Sequence, residues 1–293
     1  MNKQLLVIAD PAGGSQRILG RAVELAARLP AELVVVGFVY EHLGNLPVEV
    51  SDDDSARLKQ AVVDRHRAEL EAAVSEVVAE TSVSARVEVH WEKRVADWVI
   101  RRVAESPYEL VVKTGNRSET LAYTPTDWQL LRGCPAPVLL LGEKRWKKSR
   151  HVLAAVDLGT RVRGKAALNF KVVEQAAALA KALGAKLHIG YAVPFSHVLR
   201  DLDILDESQL KREGTRRMYR FLEALTKRGI EVADAKVVTG APEKTLVSLA
   251  AKSGAGIVVL GCVGRKKLAG RVIGNTAEKL LRLLKADVLA IKP

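Results

Sequence analysis

The sequence predicts an α/β chain built from two tandem open parallel-sheet domains, and three observations predict it. The chain repeats itself: QLLVIAD from Gln4 to Asp10 and HVLAAVD from His151 to Asp157 are both apolar runs ending in Asp. After each run, helix-periodic and strand-like segments alternate, the pattern of a parallel sheet covered by helices on both faces. The length of 293 residues gives each copy roughly 150 residues, enough to bury its own core. The repeat places the domains at 1–145 and 146–293.

The elements follow in order. Arg21–Leu29 matches Val173–Leu183, each an amphipathic helical pattern, and Glu32–Gly37 matches Lys186–Gly190, each a short strand. A long helix, a short strand, a short helix and a further strand come next in each copy. Pro137–Leu141 and Asp287–Ile291 close the copies as terminal strands, and Glu143–Arg150 is a short charged linker. Asp52, Asp53 and Asp54 read as the cap of a long helix rather than a cation site.

The most informative stretch runs from Gly261 to Thr276, GCVGRKKLAGRVIGNT. The apolar run Gly256–Leu260 precedes it, and the helical pattern of Ala277–Leu284 follows. Its glycines therefore stand where a buried strand ends and a helix begins, the place where ligands bind in open parallel sheets. Glycine lets backbone N–H groups approach a phosphate, and a helix N-terminus adds partial positive charge. Arg265, Lys266, Lys267 and Arg271 add cations. The physical reading is a phosphate cradle; the alternative is a turn with solvated lysines, whose glycines only supply positive φ. Cys262 reads as a small packing residue, an accessible thiol being the alternative. The spacing is neither that of a P-loop nor Gly-x-Gly-x-x-Gly.

Gly261, Gly264 and Gly274 reproduce a Gly-x2-Gly-x9-Gly spacing that resembles the nucleotide loop of the universal stress protein family. Thr124–Arg132, Cys134–Pro137, Gly254–Gly261 and Gly274–Glu278 extend the resemblance to that family's tandem, two-domain members, over essentially the whole chain. The resemblance implies adenine-nucleotide α-hydrolase-like domains that meet as an intramolecular pseudo-dimer, the two terminal strands covering each other's edges. It also implies a role in stress resistance, and ATP with Mg²⁺ as cofactor; the two isolated cysteines make a reducing cytoplasm the simplest context. By resemblance, Asp157 holds the adenine or ribose side, Val156 and Ala192 flank the base, and Thr239, Gly240 and Pro242 border it. Gly261, Gly264, Arg265, Gly274, Asn275 and Thr276 surround ribose and phosphates. Asn275 stands where the family's ATP binders carry Ser or Thr, and Ala277 replaces a second hydroxyl position. Asp157 has a second reading as a strand-end turn former.

The first copy has lost this loop. In the matching stretch from Lys113 to Thr126, Thr124 stands for Gly274 and Pro125 for Asn275, and proline removes an N–H that could meet a phosphate. The expectation is no nucleotide in the first domain.

Charge divides the same way. Residues 1–150 hold 21 Lys+Arg and 21 Asp+Glu, while residues 151–293 hold 25 and 13, so the whole net charge of +12 lies in the second half. That favours an anionic small-molecule ligand there, a nucleotide or a phosphorylated lipid-linked sugar. Nucleic acid is disfavoured, because zinc-finger spacing, an RNA-binding aromatic signature and an Arg-rich tail are all missing. No apolar run approaches the ~20 residues of a membrane helix, and the first ten residues turn polar too soon for a signal peptide. The two cysteines, Cys134 and Cys262, match no metal or redox spacing. No side-chain set suggests a catalytic residue or a metal site; His197 with Asp201 is the nearest approach to metal-ligand spacing, and an acidic helix start is its simpler reading. The expectation is a regulatory binding protein, at most a slow ATPase. A ligand-free interaction protein and an adenylyl-transfer enzyme are the alternatives, and homo-oligomerisation stays open.

Overall fold

A computed structural model describes residues 3–9, 15–42, 51–115, 125–142, 151–160, 162–195, 206–263, 265–267, 270–272 and 275–293. By packing, the chain forms two compact units: Met1–Gly115 with Cys134–Ala136, and Asn116–Gly133 with Pro137–Pro293.

The first unit contains β1 (Lys3–Ile8), α1 (Ser15–Arg28), β2 (Ala31–Val39), α2 (Asp52–Val78), β3 (Ala85–Trp91), α3 (Val95–Glu105) and β4 (Leu110–Thr114). Its strands run in the order β3-β2-β1-β4, all parallel. Leu5, Leu6 and Val7 are wholly buried, as expected of a central parallel strand covered on both faces. α1 buries Ile18, Leu19, Ala22, Val23, Leu25 and Ala26, an apolar stripe at helical spacing. α2 starts at Ser51, whose Oγ accepts from the Asp54 N–H at 3.1 Å. The acidic run Asp52–Asp54 therefore lies in the first turn, where negative charge suits the helix dipole, and the capping residue is the serine before it.

The second unit contains α4 (Pro125–Gly133), β5 (Val138–Leu141), β6 (His151–Val156), α5 (Arg163–Leu183), β7 (Leu187–Val193), α6 (Glu207–Thr226), β8 (Asp234–Thr239), α7 (Pro242–Lys252), β9 (Ala255–Gly261), β10 (Arg265–Lys267), β11 (Gly270–Val272), α8 (Asn275–Leu283) and β12 (Asp287–Ile291). Strand order is β5-β12-β9-β6-β7-β8. Within this sheet every pairing is parallel except β5 with β12. The β8-β7-β6-β9 core repeats the order of the first unit, so the sequence repeat is a structural repeat.

The expected meeting of the terminal strands is present. Leu139 lies opposite Leu289 and Leu140 opposite Val288, with all four side chains buried. β12 thus has a neighbour on each side and offers no open edge. The buried Asp287 accepts the Gly142 N–H at 2.7 Å, and Lys292 donates to the Leu131 carbonyl of α4.

Two glycines matter for packing here. Gly184 adopts φ +61° as the left-handed close of α5, and the Ala185 N–H returns to the Ala180 carbonyl at 2.8 Å. Gly214 lets α6 approach the sheet, since a Cβ there would come within 2.5 Å of Val193 Cγ2.

At the opposite end of this sheet from the β6–α5 turn, His151 and His188 stack with ring centroids 4.2 Å apart. Burial, chiefly, and the facing His151 hold the His188 imidazole below its ordinary pKa; Lys186 and Lys236 act the same way, and Asp234 of β8 opposes them. The unfolded chain therefore binds this proton more readily than the fold. The contribution of the neutral ring to stability is complete above the ordinary value of about 6.5. It falls as pH drops from there through the lower folded value. Thermal melts at about pH 7.5 and about pH 5.5 are expected to differ more for wild type than for His188→Gln.

Candidate functional site

The C-terminal ends of β6, β7 and β9 open into a cavity of about 220 Å³. α5 covers one side, through Lys165, Leu168, Asn169 and Val172; α7 and α8 supply Pro242, Leu246, Ala277 and Leu280. The sheet contributes Ala155, Val156, Ala192, Leu260 and Gly261. The walls are mostly apolar with a few polar groups at the mouth, the usual make-up of a small-molecule site.

The strand end at Asp157 is held from below. Asn169, buried on α5, accepts the Asp157 N–H through Oδ1 at 2.9 Å and donates through Nδ2 to the Asp157 carbonyl at 2.8 Å. This amide closes both backbone groups that β6 leaves unpaired where it ends. The Asp157 carboxylate accepts the Gly159 N–H at 3.2 Å, so the residue forms the turn and also lines the cavity. A Cβ on Gly159 would stand 3.0 Å from the Tyr191 hydroxyl, which leaves little room for a side chain in the turn. Tyr191 lies buried on the far face of β7, and burial raises its hydroxyl's pKa against the pull of Arg217.

Gly261 sets the cavity floor. A Cβ there would meet Leu168 Cδ2 at 2.6 Å, so its absence lets α5 close over β9. Cys262 follows, fully buried, with its N–H given to the Ile291 carbonyl at 2.8 Å. Burial pushes its thiol up to about 11, so it stays protonated and packs as a small apolar residue. Beyond Val263 the basic loop folds into an antiparallel hairpin, with Arg265 opposite Val272 and Lys266 opposite Arg271. α8 begins at Asn275. Glu243 of α7 meets Lys279 of α8 at 3.4 Å, joining the two helices that flank the cavity.

Of the residues expected at the site, Val156, Asp157, Ala192, Pro242 and Gly261 line this one cavity. Thr239 and Gly240 do not line it. The Thr239 hydroxyl donates to Glu207 of α6 at 2.5 Å, and Gly240, at φ +127°, passes its N–H to the Val193 carbonyl. Arg265 falls in β10, and Asn275 and Thr276 open α8. Gly264 and Gly274, like His197 and Asp201, lie outside the described residues. Lys165 and Asn169 were not foreseen. Asn169 had a signal: it interrupts the apolar face formed by Leu168, Val172, Val173 and Ala176, where a polar side chain needs a partner. Among the described residues, no three His, Cys, Asp or Glu side chains gather as a metal site, and no helix is long and apolar enough to cross a membrane.

The model of the Universal stress protein family matches the chain twice, over residues 1–142 and 148–292. The chain belongs to the universal stress protein family. Among its relatives are the proteins named Universal stress protein E of Salmonella typhi and Escherichia coli, each 30% identical over 100% of this chain and 95% of theirs. Solved structures agree on the fold. A functionally unknown protein from Pseudomonas aeruginosa PAO1 superposes with a TM-score of 0.69 at 24% identity, covering 100% of this chain and 93% of that one. A universal stress protein from Archaeoglobus fulgidus gives 0.63 at 17% identity, covering 99% and 98%. The chain is thus a tandem universal stress protein, a member of a stress-response family, and its cavity lies in the second repeat.

Proposed function

We propose that this universal stress protein is a cytoplasmic stress-response protein that binds ATP or a related phosphorylated ligand in its second repeat and works by binding rather than catalysis. The observation that carries the reading is the cavity itself. Val156, Asp157, Ala192, Pro242 and Gly261 share its lining, with the glycine-rich basic loop continuing from its floor. The apolar part suits a base, and the loop's backbone and cations suit phosphates. At about 220 Å³ the cavity is smaller than the roughly 300–1,000 Å³ of common ligand pockets, so a nucleotide's phosphates extend out over the loop. Asp157 is one carboxylate at the mouth for a Mg²⁺ carried by the phosphates, since this ion keeps several waters and needs one or two protein carboxylates. Among the described residues, the lining offers no nucleophile paired with a base, which favours a sensor over an adenylyl-transfer enzyme.

The test is a thermal shift with ATP and ADP, with and without Mg²⁺, on wild type and Ala192→Phe. A phenyl ring fits such a space, an apolar cavity of ~150 Å³ being enough for benzene, so the variant fills the site and keeps the fold. Ligand at about 100 times its Kd stabilises the native state by about 2.7 kcal/mol. The expected result is a rise in Tm for wild type and none for Ala192→Phe. An equal rise in both places the nucleotide elsewhere. No rise at millimolar nucleotide leaves a phosphorylated sugar or a protein partner as the ligand to seek.

A further inference from the structure

We propose that Lys165 receives the ligand's phosphate and so makes the cavity select phosphorylated nucleosides over free ones; this rests on the nucleotide reading of the site. Lys165 lies in the first turn of α5, and Leu168, Asn169 and Val172 follow it at i+3, i+4 and i+7 on the same helical face. These three are buried while Lys165 is only half-buried, which places Lys165 toward the cavity mouth. It is the one basic side chain among the described residues of the lining. Among the described residues its ammonium has no hydrogen bond or ion pair, although Asp157 also lines the cavity and carries a carboxylate.

Helix stability does not account for a lysine here, because a cation in the first turn opposes the helix dipole. Core packing does not account for it either, since its side chain is only partly buried. What remains is an ammonium unpaired among the described residues, at a cavity whose other walls are largely apolar. Such a site rewards a ligand that carries an apolar ring inside and an anion at the rim. Lysine acts on phosphate as a point charge, and arginine can replace it in that role.

The experiment is calorimetric titration of the full chain with ATP, AMP and adenosine, in buffer containing EDTA, for wild type, Lys165→Met and Lys165→Arg. Wild type is expected to bind ATP about tenfold or more tightly than adenosine, the size of one charge-assisted hydrogen bond. Lys165→Met is expected to lose that preference, with adenosine affinity within about twofold of wild type, and Lys165→Arg to keep it. A thermal melt of each unliganded variant checks the fold. Wild-type ATP preference retained in Lys165→Met overturns the role of Lys165 and leaves the nucleotide reading standing. Failure of wild type to bind any of the three overturns both.

Discussion

Leu139→Asp is expected to unfold the second unit. Leu139 is fully buried in β5, opposite Leu289 of β12 in the antiparallel pair. A carboxylate there has no partner, and an uncompensated buried charge costs about 3–5 kcal/mol. Loss of the leucine's packing adds about 2–5 kcal/mol on the scale of core truncations. The sum is comparable to the whole stability of a typical domain, about 5–15 kcal/mol. Urea unfolding followed by far-UV circular dichroism is expected to show loss of the cooperative transition, or its shift to much lower urea. Leu139→Ile keeps the volume and is expected to cost under about 1.5 kcal/mol. A wild-type transition for Leu139→Asp would mean that the β5–β12 pairing is dispensable for the fold.

Asn169→Ala is the second large effect, and it joins stability to the site. The change leaves the Asp157 N–H and C=O without the amide that meets both. A fully buried unsatisfied group costs about 1–3 kcal/mol; Asp157 is exposed at the cavity mouth and water there recovers part of this, so the expected loss is about 1–2 kcal/mol in chemical denaturation. Asn169→Asp still accepts the N–H but no longer donates to the carbonyl, and is expected to destabilise as well. Because Asp157 and Val156 sit on the strand end that this amide fixes, the proposed nucleotide-dependent rise in Tm is expected to vanish in Asn169→Ala. A stable variant with full ligand response would show that the strand end holds itself.

Much of the fold was legible because burial writes it into composition. LLVI of β1 and GIVVL of β9 are continuous apolar runs, which parallel strands covered on both faces must be. The closing Asp of the β6 run, Asp157, marks the turn that the structure shows. The start of α5 was not legible. The sequence pattern supports a helix from Val173, whereas the helix begins at Arg163. Gly164 and the polar residues of that first stretch hide a face that only the contacts of Leu168 with Gly261 reveal. The same blind spot concealed Lys165, which lies in that unrecognised first turn, and left Asn169 without a recognised helical face to interrupt.

The hairpin of β10 and β11 was hidden for a different reason. Its strands are three residues each, Arg265–Lys267 and Gly270–Val272, too short for an alternating pattern to stand out from a basic loop. Thr239 illustrates a third limit. Its strand-end position is right for a ligand contact, but its hydroxyl is taken by Glu207, thirty-two positions away in the chain. Contacts of that separation have no local signature. The cavity's lower half was therefore readable from spacing and family resemblance, while its α5 wall required the folded chain.

The central claim is one nucleotide site per chain, in the second repeat. Calorimetric titration of ATP into the wild-type chain tests it most directly, because the method counts sites as well as measuring affinity. Saturable heat with a stoichiometry of one per 293-residue chain is expected, since the first repeat has no counterpart of Gly264 and carries Thr124 and Pro125 where the loop of the second has Gly274 and Asn275. A stoichiometry of two would contradict the assignment to a single repeat, and no heat at millimolar ATP would contradict the nucleotide reading itself.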